Sequence, residues 1–237
     1  MDYIQDFEAH LRNKERSDNT VSCYLRDTLA FMAWYQKKTE YGLEKLIKLD
    51  CIDYKKQLLH SDQKVITINR KIASLNVLFK WMHDRDCLKE HLHIDSVRSK
   101  TVRQYKGLED TELWKLRNEI HRSGNRKHIC MIEILLGTGV RVSELVGIRL
   151  KDIELSERKG SLTVIGKGNA ERILPINKDV RKAIISYLEI RPNSDCEYLF
   201  IGQRGAYDRN AINLILKKYG NRVKVEVTPH KIRHTLG

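Results

Sequence analysis

The chain has little that would stiffen or cross-link it: three prolines and five cysteines in 237 residues. Cys23, Cys51, Cys87, Cys130 and Cys196 are odd in number, widely spaced and never arranged as Cys-x-x-Cys. That pattern argues against a disulfide framework and a cysteine zinc site, and it leaves most of them to act as small buried hydrophobes. No apolar run approaches the roughly 18 residues that a membrane-spanning helix requires. The opening Met1-Asp2-Tyr3-Ile4-Gln5-Asp6 is acidic, unlike a signal peptide, so a cytoplasmic protein without membrane attachment is expected. No Gly-x-x-x-x-Gly-Lys-Ser/Thr segment occurs. The Gly-x-Gly pairs at Gly137 and Gly166 lie between helical stretches or lack a following helix, which argues against ATP and dinucleotide loops. A homopolymeric basic tract is also missing, so the charge does not sit on a disordered tail.

What is present in excess is positive charge. The formal net charge is +13, which favours a polyanionic partner. Lys and Arg outnumber Asp and Glu by 18 to 15 over residues 1–100 and by 26 to 16 over residues 101–237, so the excess lies in the second half.

Apolar spacing predicts an all-helical domain over residues 1–92. Ile4, Phe7 and Leu11 share one face, and Ser17-Asp18-Asn19 supplies cap candidates for a helix carrying Val21, Leu25, Leu29, Met32 and Tyr35. A third helix is expected near Leu49 to His60. A fourth, near Lys64 to Met82, stripes Ile68, Ile72, Leu75, Phe79 and Met82, and carries Lys64, Thr67, Arg70, Lys71 and Ser74 on its polar face. Four helices suffice for a small bundle. Periodicity then fails, and residues 93–105 read as a basic polar linker, a strap able to close around a rod-like ligand. From residue 106 a second domain is expected, with helices near Glu109 to Arg122 and Arg126 to Gly137, a further short helix near Leu150 to Ile153, strands at Ser161–Ile165 and Glu171–Ile176, and helices near Asp179 to Leu188 and Arg209 to Tyr219. Thr228 as cap and Pro229 at the first position start the last helix.

Three places carry candidate chemistry. Gly137-Thr138-Gly139 opens a short helix whose first turn is expected to hold Arg141, with Glu144 three residues on and able to hold the guanidinium. Alone this is a surface ion pair. Lys167, flanked by glycines at a hairpin tip, is either an ordinary turn lysine or a cation able to reach a phosphate. His230 and Arg233 share a helix face, as suits phosphate binding, or form a solvated basic turn. His230 and His234 have the spacing of a helical zinc pair. Lys231 and Arg233 lie between them without a glutamate, so no metal is expected.

Together, Thr138-Gly139-Val140-Arg141-Val142-Ser143-Glu144-Leu145, Val164-Ile165-Gly166-Lys167-Gly168-Asn169-Ala170-Glu171-Arg172, Pro175 and His230-Lys231-Ile232-Arg233-His234-Thr235 resemble, in order and spacing, the catalytic domain of tyrosine recombinases of the phage-integrase family, Xer-like in type. Asn19-Thr20-Val21-x-x-Tyr24 and Thr67-Ile68-Asn69-Arg70 resemble its core-binding domain. The resemblance implies a mainly α fold with a small β-sheet: a helical, SAM-like core-binding domain followed by a mixed α+β catalytic domain over residues 106–237. It implies that Arg141 and Arg233 clamp a scissile phosphate, Lys167 protonates the leaving 5′ oxygen, His230 assists proton transfer and Glu144 holds Arg141. Thr20, Lys64, Thr67, Arg70, Lys71 and Ser74 would face DNA. The partner would be double-stranded DNA as paired inverted half-sites, with self-association into dimers and tetramers, and no cofactor or metal. The family's nucleophilic tyrosine follows the Arg233 motif by some thirty residues, whereas the last tyrosine here is Tyr219. The 237 residues therefore read as a recombinase truncated before its nucleophile, able to bind DNA but not cut it, with a non-catalytic DNA-binding accessory protein or regulator as the alternative.

Overall fold

The computed structural model describes residues 3–98, 106–166, 170–202 and 205–235. The chain divides into two compact units, Met1–Val102 and Arg103–Gly237.

The first unit holds α1 (Tyr3–Asn13), α2 (Asp18–Lys38), α3 (Lys48–His60) and α4 (Val65–His83). α2 starts where Ser17 Oγ accepts the Thr20 amide at 3.3 Å, which satisfies one of the helix's otherwise orphaned donors. The stripes read from the sequence meet inside. Phe7 and Leu11 of α1, Phe31 and Tyr35 of α2, Tyr54 and Leu58 of α3, and Ile72, Leu75, Phe79 and Met82 of α4 are all buried. Phe31 sits at the centre and meets Tyr54 and Phe79 edge-on, with ring centroids 4.9 and 5.5 Å away.

Past residue 92, the expected end of the helical domain, Ile94 is buried in the first unit. Two asparagines of α4 hold this segment as a neighbouring strand would. Asn76 Nδ2 donates to the Ile94 carbonyl at 3.0 Å while its Oδ1 accepts the Ile94 amide at 2.9 Å, and Asn69 does the same for Val97 at 2.9 and 2.7 Å. A side-chain amide can satisfy a backbone donor and acceptor together, and no apolar period announces it.

The second unit is built around α6 (Arg126–Thr138), which packs against α5 (Asp110–Arg122), α7 (Val142–Gly147), α8 (Lys178–Leu188) and α10 (Pro229–His234). Cys130, Met131, Ile132, Ile134 and Leu135 are buried on nearly every side of it, as befits a central helix. Its one buried charge, Glu133, is held by the Arg117 guanidinium at 2.7 and 2.8 Å and by His121 at 2.7 Å. β1 (Ile153–Leu155), β2 (Gly160–Ile165) and β3 (Glu171–Pro175) form an antiparallel sheet in that order, with Val164 opposite Arg172. A two-stranded ribbon, β4 (Ile201–Gly202) and β5 (Gly205–Ala206), precedes α9 (Arg209–Val223).

The helix expected at Leu150 to Ile153 is instead a single 3₁₀ turn, Leu150–Asp152, running into β1. The cysteines are less buried than expected: only Cys51 and Cys130 are buried, and the other three are half-buried. No described helix is long and apolar enough to cross a membrane.

Candidate active site

α6 ends because Gly139 takes the left-handed conformation, φ 62°, a cap that a residue with a Cβ adopts only at a cost. Val140 is buried, which turns the chain inward, and Arg141 follows with extended backbone, φ −71° and ψ 153°. Arg141 is thus the residue before α7 rather than part of its first turn. The reason is local: its backbone amide donates to Glu144 Oε2 at 2.7 Å, the reciprocal half of a helix cap.

Glu144 is buried, with side-chain exposure of 3 %. Its carboxylate receives four hydrogen bonds. Besides the Arg141 amide, Arg141 Nη1 donates to Oε1 at 2.9 Å, and Arg172 of β3 donates through Nη1 to Oε1 at 3.1 Å and through Nη2 to Oε2 at 2.7 Å. Burial by itself would raise the carboxyl pKa. The Arg172 guanidinium, with the amide and guanidinium of Arg141, outweighs it and holds the group down at about 2. Arg141 keeps 55 % of its side chain exposed, so it is oriented by Glu144 and still open to a ligand.

Arg233 reaches the same turn from the far end of the unit. α10 is started by Thr228, whose Oγ1 accepts the Lys231 amide at 3.1 Å, with Pro229 in the first position. Ile232 is fully buried and seats the helix, while Leu108 N donates to Thr235 Oγ1 at 2.8 Å and ties the helix end to the start of the unit. On that support Arg233 Nη1 donates to the Gly139 carbonyl at 2.6 Å. His230, one turn earlier, lines a cavity of 540 Å³ together with Val142 of α7. His230 Nε2 and His234 Nε2 are 2.9 Å apart. No cluster of three metal-ligating side chains occurs among the described residues.

The structure therefore brings Arg141, Glu144 and Arg233 around one glycine turn, and His230 shares a cavity with Val142 of the adjoining helix. Lys167 lies outside the described residues. Its flanks are described: the Gly166 amide donates to the Ala170 carbonyl at 2.8 Å and closes the hairpin stem. Arg172 was assigned no role from the sequence. Its place on the second strand of the hairpin is legible, but not the partner it meets 28 residues back.

In the first unit, Thr20 forms part of the start of α2, its Oγ1 2.9 Å from Ser17 Oγ. Lys64 is exposed, Thr67 and Lys71 are half-buried. Two of the expected DNA-facing residues turn inward. Ser74 is fully buried and its Oγ donates to Asp27 Oδ2 at 3.1 Å, so it is removed from that face. Arg70 is paired through both Nη atoms with the buried Asp27. The polar face of α4 is thus partly internal, because α2 supplies a buried carboxylate against it.

The model of the phage integrase family matches residues 106–237, and that of the phage integrase N-terminal SAM-like domain matches residues 4–86. The chain belongs to the phage integrase family. Among integrase-family relatives, the TnP I resolvase of Bacillus thuringiensis is 28% identical over 245 residues, covering 99% of this chain and 84% of that protein. Tyrosine recombinase XerC of Staphylococcus aureus is 29% identical over 246 residues, 99% of this chain and 82% of that one. Among solved integrase-family structures, a lambda integrase dimer bound to a COC′ core site superposes with a TM-score of 0.74 at 15% identity, covering 99% of this chain and 67% of that one. The crystal structure of XerA recombinase aligns with 24% identity and a TM-score of 0.51 over 99% of this chain and 81% of that one. The mainly helical architecture with a small antiparallel sheet is that of these recombinases.

Proposed function

We propose that this protein binds duplex DNA as paired half-sites and presents one scissile phosphodiester to Arg141, Arg233, His230 and Lys167, the arrangement of a tyrosine site-specific recombinase. The observation that carries this reading is the convergence of Arg141 and Arg233 on the Gly139 turn, Arg141 held by Glu144 and Arg233 by the Gly139 carbonyl. Attack on a phosphodiester gathers negative charge on the non-bridging oxygens, and two oriented guanidiniums stabilise it without a metal. In the reaction a tyrosine hydroxyl loses its proton and bonds to phosphorus. The bond to the 5′ oxygen breaks, Lys167 supplies that oxygen's proton, and a 3′-phosphotyrosine conserves the bond energy for rejoining. The relatives bear on the partner, since lambda integrase has been seen as a dimer on a core site and as a tetramer on a Holliday junction.

On this reading Tyr219, the last tyrosine of the sequence, is a core residue and not the nucleophile. Tyr219 is buried at 2 % exposure, its hydroxyl shared between His128 Nδ1 at 2.9 Å and Ser123 Oγ at 3.0 Å. Lys127 lies over the ring of Tyr207, 4.7 Å from its centroid. On the recombinase reading the chain of residues 1–237 binds DNA and is expected to form no covalent adduct. The same facts support a second reading as a non-catalytic DNA-binding accessory protein. Incubation with nicked suicide duplexes from its own locus, followed by denaturing electrophoresis, is the test. DNA binding without an adduct, with binding weakened by Arg141→Ala or Arg233→Ala, is expected. An adduct from this chain overturns the inactivity, and binding indifferent to both substitutions overturns the phosphate clamp.

A further inference from the structure

We infer that Arg172 is a positioning residue of this site: through Glu144 it holds Arg141 in place, keeps the site cationic, and locks the hairpin bearing Lys167 to the Gly139 turn. The inference rests on the proposed recombinase reading.

The first argument is charge. A buried carboxylate paired with one guanidinium is neutral overall and offers a phosphate little attraction. Glu144 is shared between two, so Arg141, Glu144 and Arg172 together carry a net +1, and the exposed member is Arg141. The second is geometry. Arg172 donates from both Nη atoms to both oxygens of Glu144, a fork-to-fork contact that fixes the plane of the carboxylate. Glu144 spends those same oxygens on the Arg141 amide and side chain, so its plane sets where the Arg141 guanidinium stands. The third is the hairpin. The Arg172 side chain lies against Gly166, where an added Cβ would come within 3.2 Å of Nη1. Gly166 immediately precedes Lys167. One guanidinium therefore touches the stem of the lysine hairpin and, across the carboxylate, the arginine of the glycine turn. Lysine at 172 would restore the charge but not the fork.

The test uses the full 237-residue chain, isotopically labelled, with inorganic phosphate as the probe. Nuclear magnetic resonance follows the Glu144 carboxyl carbon against pH, the Nε–H signal of Arg141, and the amide signals of Gly166 and Ala170. In Arg172→Gln, Glu144 is expected to titrate well above its wild-type midpoint and phosphate binding at Arg141 to weaken by about tenfold or more, the scale of a lost charge-assisted contact. Arg172→Lys is expected to recover part of the binding and little of the Arg141 signal's dispersion. Arg141→Ala is expected to shift the Gly166 and Ala170 amides in the wild-type background but not in Arg172→Gln. A Glu144 titration and phosphate affinity unchanged by Arg172→Gln overturn the inference, as does a hairpin that senses Arg141→Ala equally in both backgrounds. Should Arg172→Gln fail to fold, Arg172→Lys carries the same comparison. Phosphate binding indifferent to Arg141→Ala itself is the separate failure, that of the recombinase reading.

Discussion

Arg233 Nη1 donates to the carbonyl oxygen of Gly139, 94 residues earlier in the chain, at 2.6 Å. The bond joins the last described helix to the turn that launches Arg141, so the backbone conformation of one glycine sets the position of both arginines. Gly124 has nearly the same conformation, φ 65° against 62°, and open space around it. Gly139→Ala and Gly124→Ala should each cost about 1–2 kcal/mol of stability for placing a Cβ in the left-handed region. Only Gly139→Ala should weaken DNA binding. Paired denaturation and binding curves check this, and equal binding by the two variants would count against the role of the turn.

Arg70 and Lys71 are adjacent, yet their substitution should read out differently. Arg70→Ala strands the Asp27 carboxylate, 2 % exposed, with Ser74 as its remaining partner, and should destabilise the first unit by about 2–4 kcal/mol, discounted for the third of Arg70 that faces solvent. Asp27→Asn combined with Arg70→Met should recover much of that loss. Lys71→Ala should leave the urea midpoint unchanged and lower specific DNA binding more than non-specific binding. Uniform loss across sequences would reduce Lys71 to a backbone contact.

Two titrations divide the acid side of the stability curve. Burial, then the charges of Lys127 and Lys218, push His128 down to about 4 from an ordinary 6.5. The unfolded chain therefore binds this proton first, and the contribution of the neutral ring is full above pH 6.5 and lost as pH falls towards 4. Glu144, held at about 2 from an ordinary 4.5, contributes fully above pH 4.5 and loses that contribution as pH falls towards 2. His128→Gln should flatten the upper window and Glu144→Gln the lower one, with melting temperature against pH as the measurement. A flattened lower window in His128→Gln would contradict the assignment.

Tyr219→Phe should behave as a core substitution. It removes a hydroxyl shared by His128 and Ser123 and should cost about 1–2 kcal/mol, leaving the half-buried His128 to find another partner. DNA binding and the absence of a covalent adduct should both be unchanged. A change in adduct formation would show Tyr219 reaching the phosphate.

The helices of this protein follow from spacing, because an apolar stripe at the helical period has to be buried whatever it is buried against. Phe7 with Leu11, Ile72 with Leu75 and Phe79, and the start of α10 at Thr228 and Pro229 were legible that way. So was the pairing of Arg141 with Glu144, since three residues along a helix start bring side chains together without help from the rest of the fold. What the tertiary structure decided are the partners of polar groups across long stretches of chain. Asp27 draws Arg70 and Ser74 inward across more than 40 residues, Asn69 and Asn76 bind a segment that reads as linker, and Arg172 reaches Glu144 from another element. Hydrophobic period states which face turns inward. A hydrogen-bonding side chain carries no such period, and its partner is settled only when folding has brought the two elements together.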